Sequence, residues 1–369
     1  MKKALIALSF LAMPARAQSY WFNAQLEFRV DYNTQFLDGT KTDAGFRGKY
    51  LNLKLNGKIS DKFSYAYRQR FSKDMLNLGG FFNATDYLYL NYRPIQDLNI
   101  QAGKQFVWIG GNEYDKAPID VYQYTEYCQF IECYGYGVSV DYNLTPHDNL
   151  LVQVAQSAFT GHQLKDDGSK ENPFDRYSYN MKWTGHHGCF SSIYSFGVHE
   201  YKSEIGKRDK RYLSCFALGN RFDFGRVSIL ADYTNRSDLS KTYKQVTGVN
   251  TTTAKNVFGD FSAMTELHVK PLDELNVWGH YSHAHNESNY GDPTVKPGTS
   301  LNTVGAGVEY FPLKGDSDIR LHAAYFYNFG ENGNPDGVLL DDQHYFTAGL
   351  TFRLNYQKIK ERYKARKTR

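Results

Sequence analysis

Five basic side chains near the start of the chain have a spacing that could guide anions. They are Arg29, Lys54, Lys58, Arg68 and Arg70. Each alternates with apolar neighbours, as Lys54 does with Leu53 and Leu55, so in an extended chain the basic side chains point away from the apolar face. If the apolar face contacts lipid, the basic side chains line a wet interior. Two interpretations stay open: a basic strip that guides anions, or scattered charges paired with acids such as Glu27 and Asp31.

A second group of charged residues is acidic and lies in the segment 107–133. It comprises Glu113, Asp115, Asp120 and Glu126. Gly110, Gly111 and Pro118 would allow this segment to reverse direction and fold into the interior, which it would then narrow. The acids would face the basic strip across that constriction. The alternative is a loop on the external surface.

Cysteine spacing gives one further expectation for the same segment. Cys128 and Cys133 lie close together, and in an oxidising compartment we expect a disulfide between them, with two thiols as the alternative. Cys189 and Cys215 are expected to lie too far apart to pair, and therefore to be reduced.

The other residues with chemical potential do not form a recognisable site. His283 and His285 share one strand face and His280 takes the other, so one metal ion is not expected to gather all three. The sequence contains no G-x-S-x-G, H-E-x-x-H or G-x-x-x-x-G-K-[ST] motif. We therefore predict no catalytic residues, no metal site and no cofactor, and conclude that the chain is not an enzyme.

The elements that would position these residues are β-strands. Aromatic residues make up 16% of the 369 residues, yet the mean hydropathy is -0.58, because polar residues alternate with the aromatic ones. The run from Phe346 to Leu354 shows this period of two, which is typical of strands. About sixteen such runs can be counted. They begin near residues 22, 49, 62, 84, 97, 134, 149, 177, 189, 212, 225, 258, 273, 301, 318 and 344.

The links between these runs alternate in length. Those after even-numbered runs are short, such as Ser60-Asp61 and Pro271-Leu272, whereas those after odd-numbered runs are mostly long. This alternation is typical of an outer-membrane barrel, and a closed sheet leaves no backbone polar group unpaired in hydrocarbon. The predicted fold class is an all-β, sixteen-stranded antiparallel transmembrane β-barrel with short periplasmic turns and long extracellular loops. A barrel of this size encloses a water-filled lumen.

Both chain ends differ from the central region. Residues 1–17 are predicted to be a signal peptide, because Lys2 and Lys3 precede a short apolar stretch and Ala15 and Ala17 suit the cleavage site. Residues 18–356 are predicted to form the barrel and carry a formal charge of about -5. Residues 357–369 form a basic periplasmic tail with seven basic residues and one acid. We expect either a solvated, disordered extension or a segment attracted to anionic headgroups or the cell wall.

The sequence also resembles a known family, the phosphate-selective porin O/P family of the Bacteroidetes type. The resemblance is carried by Gly103-Lys104-Gln105-Phe106 followed by the segments 110–115 and 117–122, and by the terminal segment 349–354. It implies a sixteen-stranded, usually trimeric channel whose characterised members pass phosphate or polyphosphate along basic residues. This chain departs from that pattern, since its body is net acidic and its basic strip is short.

These observations predict a porin of the bacterial outer membrane. It would form a water-filled channel for passive diffusion of small hydrophilic solutes, and a preference for anions or phosphate is a further expectation. The alternative is a non-channel surface protein, an adhesin or assembly scaffold, that uses its long loops. Expected partners are outer-membrane lipid and lipopolysaccharide, a homotrimer of this chain as the resemblance implies, and small hydrophilic or anionic solutes, but no nucleic acid.

Overall fold

The alternating segments form one closed sheet. The computed structural model describes residues 21–71, 82, 84–129, 133–157, 176–201, 211–238, 259–286, 299–313, 318–331 and 342–367, and the predicted signal peptide lies outside them. In this part of the chain, sixteen strands are joined antiparallel in sequence order, and the last strand pairs with the first. The predicted fold class is therefore confirmed. Among the described residues, no helix is long and apolar enough to cross a bilayer.

The strands have the following bounds. The first eight are β1 (Phe22–Leu37), β2 (Thr40–Lys58), β3 (Phe63–Arg70), β4 (Thr85–Ile95), β5 (Leu98–Phe106), β6 (Tyr134–Asn143), β7 (Asp148–Gln156) and β8 (Tyr177–His187). The last eight are β9 (Phe190–Tyr201), β10 (Arg211–Asp223), β11 (Val227–Asp238), β12 (Gly259–Leu272), β13 (Leu275–Asn286), β14 (Thr299–Tyr310), β15 (Ile319–Glu331) and β16 (Gln343–Asn355).

The barrel wall is apolar outside and polar inside. On β7, Val152 is 51% exposed and its neighbour Gln153 is 1% exposed, and on β14, Val304 is 47% exposed beside Thr303 at 3%. This is the reverse of a soluble protein, because the outer surface is solvated by lipid and the inner surface by water or by other polar groups.

The expected long link between the first two strands is absent. β2 begins at Thr40 rather than near residue 49, and Asp38 and Gly39 connect it to β1 in a tight turn with φ of 48° and 74°. An Asp-Gly pair favours this turn, because both positions need positive φ and glycine adopts it without strain. Residues 40–43 carry polar side chains on both faces, so the period of two that marked the other strands does not extend to them.

The basic tail is helical over its described part. The tail helix is α3 (Tyr356–Lys367), which follows β16. Two shorter helices and a 3₁₀ turn lie between β5 and β6: α1 (Asn112–Asp115), α2 (Glu126–Gln129) and the turn Pro118–Asp120. The Asn355 Oδ1 atom accepts a hydrogen bond from the Lys358 backbone N–H at 3.2 Å, which is the geometry of a helix N-cap. A disordered extension is therefore wrong for residues 357–367.

Candidate functional site in the barrel lumen

The segment between β5 and β6, residues 107–133, lies inside the barrel and is called the inner loop here. Ser195 on β9 donates a hydrogen bond to the Gly110 carbonyl at 3.0 Å, and Arg320 on β15 donates one to the Ile119 carbonyl at 3.2 Å. A loop on the external surface could not reach inward-facing side chains on both of these strands. The external-loop alternative is therefore wrong.

An apolar cluster attaches the first and last parts of the inner loop to the wall. Buried side chains of the loop and of β7 and β10 form it: Val107, Ile109, Tyr114, Tyr127, Cys128, Ala155, Leu213 and Cys215. The Tyr114 hydroxyl donates to the Val107 carbonyl at 2.7 Å, so the ring's polar end is satisfied within the cluster. Burial of these side chains supplies the stabilisation that keeps both parts of the loop against β7 and β10.

The predicted disulfide between Cys128 and Cys133 is not formed. Cys128 is a buried thiol whose side chain is directed toward Glu113 and Thr125 within the apolar cluster. Burial raises the pKa of this thiol well above its ordinary value, so the neutral form is favoured. Cys189 and Cys215 are likewise thiols.

A single carboxylate holds α1 in place. The Asp232 side chain on β11 accepts hydrogen bonds from Asn112 Nδ2 at 2.8 Å and from the Glu113 backbone N–H at 2.7 Å. The loop approaches the wall closely here, because a Cβ atom on Gly219 would lie 2.6 Å from the Asn112 nitrogen. Glycine at position 219 thus permits the contact that Asp232 stabilises.

The four acids predicted for the constriction have different surroundings. Glu113 is 5% exposed and accepts hydrogen bonds from Thr125 within the loop, at 2.7 Å from its backbone N–H and 2.6 Å from its hydroxyl. Asp115 is exposed. The side chain of Glu126 lies outside the described part of the structure. Asp120 forms ion pairs with basic side chains of the wall.

Asp120 joins the inner loop to the last two strands. Its carboxylate lies 3.0 Å from Arg320 Nη1 and 2.6 Å from Arg353 Nη2. Arg320 also lies 3.1 Å from Glu309 Oε1 on β14. Burial by itself would raise the pKa of Asp120, but attraction to Arg320 and Arg353 overrides it and holds the pKa below the ordinary 3.8.

Tyr122 extends this contact toward β13 and β1. Its ring stacks on Trp278, with centroids 5.6 Å apart and an interplanar angle of 4°, and its hydroxyl donates to Glu309 at 2.6 Å. The Arg29 guanidinium lies 4.7 Å from the centre of the same ring and donates to the Val121 carbonyl at 2.7 Å. Arg29 therefore supports the inner loop rather than standing open in the lumen.

Four of the five residues of the predicted basic strip lie close to carboxylates. Lys54 lies 2.7 Å from Glu27 on β1, and Arg29 lies 2.7 Å from Asp31. These are the two acids that the pairing interpretation names. Asp86 on β4 lies 3.1 Å from Arg68 and 2.7 Å from Arg70. Lys58 is exposed at the end of β2.

The inner loop leaves a cavity of about 500 Å³ on the side toward the short turns. The loop forms one wall and β10–β16 form the other, and its charged lining is Lys116, Asp120, Arg221, Glu266, Lys270, Glu309, Arg320 and Arg353. Five of these are basic and three are acidic, which gives a formal charge of +2 with histidine neutral. Most of this lining was not predicted from the sequence, although Arg320 has the same alternation with Leu321 that identified Lys54.

A histidine pair lies at the edge of this cavity. Glu266 on β12 forms an ion pair with Lys116 of the inner loop and is 3.1 Å from His268 Nε2 and 3.2 Å from His280 Nδ1. His283 is instead 3.0 Å from Asn302. The described residues contain no group of three or more His, Cys, Asp or Glu side chains arranged to hold a metal ion.

Charge reversal at Arg68 is expected to destabilise the barrel. Arg68 and Asp86 are 2% and 3% exposed, so Arg68→Glu would bury two carboxylates together, and breaking such a pair typically costs about 3–5 kcal/mol. The folded band in a heat-modifiability gel should be lost at a lower temperature. Arg221→Glu is the control, because its pair with Asp223 is about half exposed and should contribute no more than about 1 kcal/mol.

The ion pairs of Asp120 with Arg320 and Arg353 should be lost at low pH. Because the pKa of Asp120 is lowered when the loop is docked, the attachment is present above the ordinary value of 3.8 and is lost as pH falls through the lowered pKa. Asp120→Asn should raise single-channel current noise at neutral pH. Wild-type noise should approach the variant's level only below about pH 3.8. Equal noise in the two proteins at neutral pH would contradict this prediction.

A closed sixteen-stranded barrel with a charged lumen and an inward-folded loop has the architecture of an outer-membrane porin. The family model for phosphate-selective porin O and P matches residues 22–266. The chain therefore belongs to the phosphate-selective porin O and P family, and it is an outer-membrane porin rather than an enzyme.

Solved structures show the same fold. OmpT of Vibrio cholerae has a TM-score of 0.62 at 13% identity, with 93% of this chain and 100% of that chain covered. The outer-membrane channel DcaP of Acinetobacter baumannii has a TM-score of 0.64 at 16% identity, covering 91% and 99%. An anion-selective porin from Comamonas acidovorans has a TM-score of 0.56 at 12% identity, covering 91% of this chain and 99% of that chain. No curated protein sequence matches the chain.

Proposed function

We propose that this porin prefers anions and that its solutes pass through the cavity beside the inner loop. The observation that carries the proposal is the lining charge of +2, set by five basic and three acidic side chains. A narrow, low-dielectric passage concentrates ions of the opposite sign, so a small excess of fixed positive charge there outweighs the acidic charge of the whole body.

The arrangement of the lining charges supports the same preference. Each of the three acids is in contact with a base: Asp120 with Arg320 and Arg353, Glu309 with Arg320, and Glu266 with Lys116. Lys270 is exposed, and Arg221 is about half exposed in a solvent-screened pair with Asp223. Both therefore reach water at the side of the cavity toward the short turns, where an arriving anion would meet them.

We also propose a class of solute, an oligomeric state and a membrane environment for this porin. Small hydrophilic anions, phosphate among them, are the proposed solutes, because the matching family is described as phosphate-selective. A homotrimer is the proposed assembly, since one OmpT structure is described as a trimer form. Lipid and lipopolysaccharide are the proposed surroundings of the outward apolar face. Assignment to the Bacteroidetes type of the family has no support in the comparisons and stays a prediction.

The charge preference can be tested directly in planar bilayers. The wild-type channel in a KCl gradient should give a reversal potential of the sign that chloride permeation produces, and raising the salt concentration should reduce the preference because the lining charges become screened. A potential of the opposite sign would contradict the anion preference. If the inserted protein carried no ion current across the bilayer, that result would contradict an open passage beside the inner loop.

A further inference from the structure

We propose that α3 binds the anionic phospholipid headgroups of the periplasmic leaflet of the outer membrane. The helix follows the last strand at the end of the barrel that carries the short turns. The proposal rests on the attachment of its first turn, on the side that it presents to the membrane and on its charge. It does not depend on the anion preference proposed for the channel.

The first turn of α3 is attached to the rim of the barrel. The Gln357 backbone N–H donates to Asn23 Oδ1 at 3.2 Å, and the Gln357 side chain donates to the Phe22 carbonyl on β1. The Lys358 Nζ atom lies 3.0 Å from Asp318 Oδ1, next to the start of β15. These contacts hold the beginning of the helix at the boundary between the membrane and the periplasm.

One side of α3 continues the lipid-facing surface of β16. Leu354 points outward and is 49% exposed, and Tyr356 follows with the same alternation at 47%. The helical repeat places Ile359 and Tyr363, which are 51% and 61% exposed, on the side of Tyr356. These three side chains form a narrow stripe on an otherwise strongly basic helix, and tyrosines are enriched at the depth of the membrane interface.

The charge of the segment selects the kind of headgroup. Residues 357–369 contain seven basic residues and one acid, and Lys360 Nζ lies 5.9 Å from the centre of the Tyr356 ring, so at least one cation lies beside the apolar side. Polybasic segments next to a bilayer are attracted to anionic lipid within a Debye length. The cell wall is the competing partner, but it gives no reason for an exposed apolar side at the lipid boundary.

Hydrogen exchange of the full-length protein in lipid nanodiscs tests the proposal. We expect the backbone amides of α3 to exchange several-fold more slowly when a phosphatidylcholine disc also contains phosphatidylglycerol, and high salt to reverse part of this protection. A charge-neutral variant, in which the residues of α3 carry no net formal charge, should lose the dependence on phosphatidylglycerol. It replaces five residues with glutamine, which keeps helix propensity: Lys360, Arg362, Lys364, Arg366 and Lys367. Lys358 is retained because it contacts Asp318.

Two controls make the outcome decisive. Ile359→Gln with Tyr363→Gln keeps the charge and removes the apolar side, so it should reduce the protection. The charge-neutral variant should conduct like the wild type, which separates this test from the test of the channel. Equal exchange of α3 in the two kinds of disc would overturn the proposal. So would protection produced by added peptidoglycan in discs without phosphatidylglycerol, because that result assigns the helix to the cell wall.

Discussion

Replacing Lys270 and Arg221 with glutamate is expected to turn the channel from anion-preferring to cation-preferring. The two substitutions change the lining charge from +2 to -2, since each exchanges one positive for one negative charge. Neither side chain attaches the inner loop, so the pathway should keep its width while its electrostatic potential changes sign. The reversal potential in a KCl gradient should change sign, and Lys270→Glu alone should bring it close to zero.

The control for this prediction is a charge reversal outside the cavity. Lys62 is exposed in the turn between β2 and β3 and does not line the cavity. Lys62→Glu changes the net charge of the protein by the same amount as Lys270→Glu and should leave the reversal potential nearly unchanged. If the two single variants behave alike, the cavity is not where selectivity arises.

Asp232→Ala is expected to release the first half of the inner loop. The substitution removes the acceptor for Asn112 and for the Glu113 backbone N–H, and it leaves both donors without that acceptor in a buried place. Each such loss typically costs about 1–3 kcal/mol. Because α1 then has fewer contacts with β11, the loop should move between positions, and single-channel recordings should show larger conductance and frequent transitions between levels.

A matched aspartate allows this effect to be separated from a general effect of lumen charge. Asp141 is inward-facing on β6 and binds Asn149 on β7 rather than the inner loop. Asp141→Ala should give steady currents at a conductance close to that of the wild type. Steady currents from Asp232→Ala as well would show that the apolar cluster around Tyr114 is sufficient to hold the loop.

The barrel could be predicted from the sequence because its physical requirements repeat in every strand. The alternation from Phe346 to Leu354 and the short links recur along the chain, and hydrocarbon allows few other backbone arrangements for such segments. The inward direction of Arg29, Lys54 and Arg68 followed from the same alternation. The turn at Asp38 and Gly39 was missed because the strand after it begins with four polar residues, 40–43, which do not show the alternation of the other strands.

The partners of the inner loop could not be predicted, because they depend on contacts between residues far apart in sequence. Asp120 meets Arg320 and Arg353 across the lumen, and no local pattern relates position 120 to position 353. The surroundings of the Cys128 thiol could not be predicted for the same reason, because its apolar cluster includes Leu213 of β10. The expected disulfide with Cys133 was inferred from the spacing of the two cysteines alone.

The junction between β1 and β16 gives the inner loop a second role. Arg29 on one side of this junction binds the Val121 carbonyl, and Arg353 on the other side binds Asp120, so adjacent loop residues bridge the strands that bring the two ends of the chain together. These two attachments can coexist only after the final strand has been synthesised and has met the first. The inner loop therefore stabilises the closed barrel across the β1–β16 junction. A barrel in which β1 and β16 have not yet paired would lack these two contacts together, and its inner loop would not yet be in its final position.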